Sequence, residues 1–170
     1  MARKSSLRDF QAYLAGRLSE AAQGHGGASW LGLDVAGEGW LIDLSDGGEI
    51  VQAPQLAGVP LVHPWFSGIA NVRGNLYAVT DFAAFLGAPP TPRNVNTRLL
   101  LIGVRHGSNA ALLVSRMLGL KKPENFQPMA ADEAFPVWGR QRFTDTDGKV
   151  WRKLAVRELL ADRGFMNIGI

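Results

Sequence analysis

Apolar positions recur along the chain with two different periods, and the change of period divides it. Leu7, Phe10, Tyr13 or Leu14, Leu18 and Ala21 return at three- and four-residue spacing. That spacing predicts an amphipathic helix over residues 5–23, opened by a capping-box pair, Ser6 and Asp9. Gly24, Gly26 and Gly27 end it in a flexible connector. From Trp30 onward the period falls to two, the spacing of a strand with one buried face. Leu31, Leu33 and Val35 alternate, a short AGEG loop turns the chain, and Trp40, Ile42 and Leu44 alternate again. A hairpin is expected there. Another strand, Glu49 to Ala53, follows Gly47–Gly48 and stops at Pro54, and Pro60 and Pro64 bracket an irregular crossing.

The segment GIANVRGNLYAVTDFAAFLG, Gly68 to Gly87, is the most informative. An apolar strand meets a corner at Arg73–Gly74, a second strand leads to Asp81, and a short apolar helix ends at Gly87. The joint APPTPRN then offers an internal boundary. Beyond it a long hairpin pairs Arg98–Val104 with Asn109–Ser115 around His106–Gly107, followed by a short strand near Leu118–Lys121. The last hairpin sets Gln141–Thr144 against Lys149–Ala155 around Asp147–Gly148, and a helix from Ala155 to Arg163 closes the chain. The two halves share one plan, visible in RGNLYAVTDFAAFL beside DGKVWRKLAVRELL, at a period too long for a solenoid. A mainly β protein of two small barrels is predicted, each too small for a large core and sharing an apolar seam. The first barrel is expected at about 29–87 and the second at about 97–155. Residues 1–28 form a helix and linker before them, and 164–170 a tail after them.

Composition narrows the chemistry. With 170 residues, 46% apolar and 19% charged, the chain has ordinary globular proportions. No apolar run approaches the roughly 18 residues of a membrane span, and the charged N-terminus lacks the apolar core of a secretory signal. Zero cysteines exclude disulfides and sulfur-ligated metal, and the cytosol is the expected compartment. Net charge is +3 overall but unevenly placed: +2 over residues 1–30, −5 over 31–90 and +6 over 91–170. Such a split suits either solvated halves or head-to-tail association with similarly built partners. The basic residues form no stripe with exposed aromatics, so nucleic acid is not an expected partner.

Few residues carry reactive chemistry. Asp81, between a strand and a short helix, reads as an N-cap and not as an acid catalyst. Asp145–Gly148 suits a turn better than a calcium loop, because the distal glutamate is missing. His25, His63 and His106 lack metal-pair spacing, and no serine sits in a nucleophile elbow. Neither a metal nor a cofactor is expected. Arg73 is the only basic residue in 31–90. It fits either a bridge to a carboxylate such as Asp81 or an interface anchor, while Gly74 fits the positive-φ corner. Trp65 and Phe66 fit packing between the barrels or anchoring of a partner.

Residues 29–163 resemble the CheW-like domain, the coupling protein of bacterial chemosensory arrays. The resemblance rests on EIVQAP, Glu49 to Pro54, and on VPLVHPWFSGIANVRGNLYAVTDFAAFLG, Val59 to Gly87. The ending FTDTDGKVWRKLAVRELL resembles the variant that serves type IV pilus twitching motility. The chain departs from the family pattern at Ala78, where a proline is usual, at Phe82, where a leucine is usual, and around Trp151. The resemblance implies two five-stranded barrels and no catalytic activity. It implies a bridge between a chemoreceptor's cytoplasmic tip and the regulatory domain of a CheA-type histidine kinase, beside membrane-anchored arrays without insertion into the membrane. It places Arg73 on the receptor-contacting surface and Glu49 on the face that meets receptor or kinase, with Asn71, Gly74 and Trp65 as accompanying partner-binding candidates. A flagellar coupling protein is the near alternative, and a small β-barrel enzyme or ligand-binding module with a pocket at the seam is the distant one.

Overall fold

The structure, a computed structural model, describes Leu14 and residues 29–170. The helix expected over 5–23 falls, Leu14 apart, outside the described residues. The described chain is mainly β, in two sheets. The strands are β1 (Trp30–Val35), β2 (Glu38–Asp43), β3 (Glu49–Gln52), β4 (Phe66–Val72), β5 (Asn75–Asp81), β6 (Arg98–Leu101), β7 (Ala110–Val114), β8 (Arg116–Lys121), β9 (Gln127–Pro128), β10 (Arg142–Thr144) and β11 (Val150–Leu154). One sheet has six strands in the order β8-β1-β2-β11-β10-β9, and the other has five in the order β3-β6-β7-β5-β4. The described residues also form three short α-helices, α1 (Phe82–Phe85) after β5, α2 (Val156–Ala161) after β11 and α3 (Arg163–Met166) directly after α2.

The sheets do not part at the proline-rich joint. The five-stranded sheet is built from residues 49–114, and the six-stranded sheet joins residues 30–43 to 116–154. The expected barrels at 29–87 and 97–155 are thus corrected. The last long strand, β11, lies parallel to β2, and β5 lies parallel to β7, so each sheet joins segments distant in sequence. Period-two alternation reports which face of a strand is buried. It does not report which strand lies beside it.

Alternation does explain the core. In β1 and β2, Leu31, Leu33, Val35, Trp40 and Ile42 point one way, and Trp30 and Leu41 the other. In β6 and β7, Leu100, Leu112 and Val114 face the first set, while Leu99, Leu101, Ala111 and Leu113 face away into a second cluster. Both faces of these strands are covered, so they read as near-continuous apolar runs, LLLI and AALLV. The apolar seam expected between the two units is this first cluster. It joins both sheets to Phe82, Leu159 and Phe165 of the three helices.

The five-stranded sheet is strongly curled. Its edge strands, β3 and β4, share the cluster containing Val51, Ala70 and Val72. The chain leaving β3 bridges β4 at Ala57·Ile69. Gly68, at φ +128°, permits that approach, since a Cβ there would stand 2.3 Å from the Ala57 carbonyl oxygen. The end of the chain is also held: Gly169 bridges Val62, and the Ile170 N–H donates to the Leu61 carbonyl at 3.1 Å.

Candidate functional site

The Arg73–Gly74 corner closes the β4–β5 hairpin as a two-residue turn between Val72 and Asn75. Both central residues have positive φ, Arg73 at +52° and Gly74 at +85°, the signature of a type I′ turn. Glycine adopts this freely and arginine does not. Asn71 helps hold the geometry, its side-chain oxygen accepting the Gly74 N–H at 2.8 Å. An asparagine three residues before the glycine is therefore part of the turn itself.

Arg73 does not reach Asp81. Its two terminal nitrogens donate to the two carboxylate oxygens of Glu49, a fork-to-fork ion pair. Glu49 begins β3, one edge of the five-stranded sheet, and Arg73 leaves β4, the other edge. The pair therefore spans the seam made by the sheet's curl. The hydrogen bonds from Arg73 hold the Glu49 carboxyl below its ordinary pKa, partial burial opposing and the arginine's charge adding, and Arg73 is raised in return. Most of the arginine surface, 67%, stays open to solvent.

Asp81 has the capping role read from the sequence. It accepts the Ala84 N–H at 3.4 Å at the start of α1, and the Thr91 N–H and hydroxyl at 2.8 and 2.6 Å. The structure thus brings Arg73, Glu49, Gly74 and Asn71 together at one end of the hairpin. Trp65 is elsewhere. It precedes β4 at the opposite end, about 20 Å away at some 3.4 Å per strand residue, half-buried, stacked on His63 and edge-on to Phe85. Its setting is that of a packed side chain.

One residue of the corner escaped the sequence reading. Leu76 lies directly opposite Asn71, on the hairpin face away from buried Tyr77 and Val79, and is 58% exposed. Strict alternation from Tyr77 would have found it. The same face continues through Ala78 to a cavity of about 260 Å³, between β5, β7 and the chain end at Phe165, Met166 and Ile168.

Carboxylates elsewhere in 31–90 are engaged as well. Asp34 pairs with Arg116, Asp43 with Lys153, and Asp46 with Arg105 and His106. Three of the acidic residues of the first half are therefore neutralised by basic residues of the second, inside the molecule. Among the described residues no cluster of three His, Cys, Asp or Glu side chains could hold a metal ion, and no helix is long and apolar enough to cross a membrane.

The fold is thus two sheets joined at an apolar seam, with an arginine–glutamate clasp at the NVRG corner of the five-stranded one. Residues 29–164 match the family described as CheW-like domain, and the chain belongs to that family. Among curated proteins it is similar to Protein PilI of Pseudomonas aeruginosa, with 31% identity over 96 residues. That match spans 55% of this chain and 53% of the relative, about half the length of each. Among solved structures, the scaffolding protein TtCheW of Thermoanaerobacter tengcongensis superposes with a TM-score of 0.63 at 19% identity. The superposition covers 76% of this chain and 85% of that one, and shows a shared fold.

Proposed function

We propose that the protein is a non-catalytic adaptor. It couples the cytoplasmic tip of a chemoreceptor to the regulatory domain of a CheA-type histidine kinase, in a pathway that controls type IV pilus twitching motility. Family membership supports the coupling role, and likeness to Protein PilI favours the pilus pathway over the flagellar one. The observation that carries the site is the exposed Arg73, held by Glu49 at a strained corner beside exposed Leu76. A preorganised arginine next to an apolar side chain is the usual form of an interface anchor. Asn71 and Gly74 act there by fixing the turn.

Coupling of this kind requires only that the adaptor contact receptor and kinase differently in their two signalling states. The adaptor works in the cytoplasm, beside membrane-anchored arrays. The rival reading, a ligand-binding or enzymatic module, needs a pocket at the seam. Leu33, Trp40, Ile42, Leu100 and Leu112, all 0% exposed, fill that space.

A pull-down against a CheA-type kinase and a receptor signalling tip tests the proposal. Wild type retains both, and Arg73→Glu loses at least one. The double variant Glu49→Arg/Arg73→Glu restores the internal pair in reverse, and its continued failure to bind separates lost contact from lost folding. Wild type that retains neither partner refutes the adaptor; full binding by Arg73→Glu refutes the site.

A further inference from the structure

With much of the acidic half neutralised internally, the basic second half has cations to spare. Among the described residues, Lys121, Lys122, Arg142, Lys149, Arg157 and Arg163 form no ion pair. The most organised group of cations lies along the β10–β11 hairpin, from Arg142 and Arg152 at its open end to Lys149 at its turn. Arg142 and Arg152 stand directly opposite each other in register, where like charges repel. Each is fixed by groups other than its neighbour. Arg142 donates through Nε and Nη2 to the Ala130 carbonyl. Arg152 donates to the Gly139 carbonyl and to Asp132, and lies 3.9 Å from the Phe135 ring centroid. Lys149 rests its ammonium 4.4 Å from the Trp151 ring centroid. These three cations and Val150 line a cleft of about 350 Å³ against the Gly37–Gly39 segment, whose Glu38 is the one carboxylate in the lining.

Arg152 is answered inside the molecule by Asp132, but Arg142 opposite it and Lys149 pair with no carboxylate, so their charge is left to be answered from outside. We propose that this cleft docks an acidic peptide segment of a partner protein, with carboxylates at Arg142 and Lys149 and the chain lying along Val150. With Arg152 paired to Asp132, the lining still sets two cations, Arg142 and Lys149, against the single carboxylate Glu38, so charge complementarity selects an anionic occupant. Val150, 47% exposed, adds an apolar contact that a free inorganic anion would not use. Glu38 weighs more against a compact dianion than against single carboxylates spaced along a chain. The inference is independent of the Arg73 site, at a hairpin of the other sheet, and of the kinase and receptor named above.

Fluorescein-labelled hexaglutamate, followed by anisotropy at about 50 mM salt to limit screening, is the probe. Wild-type protein is expected to bind it, with displacement by unlabelled hexaglutamate but not by hexaglutamine or by inorganic phosphate at equal charge. Arg142→Gln/Lys149→Gln should weaken binding by about tenfold or more, or about 1.4 kcal/mol. Arg157→Gln/Arg163→Gln, which removes equal charge from the C-terminal helices, should change it by less than about twofold by the same scale. Lys149→Gln alone, which gives up only its contact with the Trp151 ring, should keep a cooperative melting transition and still weaken binding. Absence of binding by wild type, equal losses in the two double variants, or displacement by phosphate would overturn the proposal. Preference for phosphatidylserine vesicles over the peptide would overturn it as well.

Discussion

At the residue scale, Arg73 shows a conflict between backbone and side chain. A type I′ corner favours asparagine or glycine at both central positions, and the chain puts an arginine at the first. The fork to Glu49 and the Asn71 cap hold that conformation in place. Gly74 has no side chain to strain, its N–H is held by Asn71, and a Cβ there would meet nothing within 4 Å. Gly74→Ala should therefore cost only the left-handed backbone penalty, about 1–2 kcal/mol. Urea unfolding would show it as a lower midpoint at unchanged slope, and an unchanged midpoint would mean that the turn has relaxed. The ion pair predicts a pH dependence. Glu49 has a depressed pKa in the folded protein, so its contribution to stability is complete above the unfolded carboxylate value, about 4.3. It is lost as pH falls through the lower folded value. Wild type should exceed Arg73→Gln in thermal stability at neutral pH, and the two should converge once the pH has fallen below the depressed folded value. A difference that persists in acid would assign the effect to packing. The glycine's role was legible in the sequence. The arginine's partner was not, because Glu49 and Arg73 lie 24 residues apart and meet only through the curl of a sheet.

At the element scale, the caps and turns were readable because their chemistry is local. Asp81 opens α1 as its position between strand and helix implied. Asp145 organises the last hairpin by accepting the N–H groups of Asp147 and Lys149, each at 2.9 Å. It also accepts the Trp151 ring N–H at 2.9 Å, and that bond is the main cause of its lowered pKa. What the sequence did not foretell at Asp81 is Thr91, whose N–H and hydroxyl bond the same buried carboxylate from within the proline-rich joint. Asp81→Ala would therefore do more than remove a cap worth about 0.5–2 kcal/mol. It also leaves two buried donors on Thr91 unsatisfied, at about 1–3 kcal/mol each. Calorimetry should show a loss beyond the cap alone, and Thr91→Val in the same background should recover part of it. A loss no larger than an ordinary cap would show that water replaces the carboxylate.

At the scale of the whole molecule, strand alternation announced two apolar layers and a seam but misplaced the division of the chain. The two parallel pairings, β2 with β11 and β5 with β7, bring together segments that no local pattern relates. The charge asymmetry was equally visible, and its use was not. Head-to-tail association was one expectation, yet Asp34, Asp43 and Asp46 take their cations from the same chain. Those contacts tie residues 34–46 to residues 105–153 and reinforce the interleaved topology. Asp43 and Lys153 make the clearest case. They pair at 3.1 Å, the lysine is 18% exposed, and β11 reaches β2 in register beside them. A double-mutant cycle, Asp43→Asn with Lys153→Gln, should give a coupling of about 0.2–1 kcal/mol, the range of partly solvated pairs. Salt near 1 M, where the screening length falls to about 3 Å, should shrink it. The Lys153 ammonium also lies 5.1 Å from the Trp30 ring centroid. A loss on Lys153→Gln that survives high salt while the coupling vanishes would therefore locate lysine's contribution in the packing of its stem on Trp30, and the charge of Asp43 would then remain available to an outside partner.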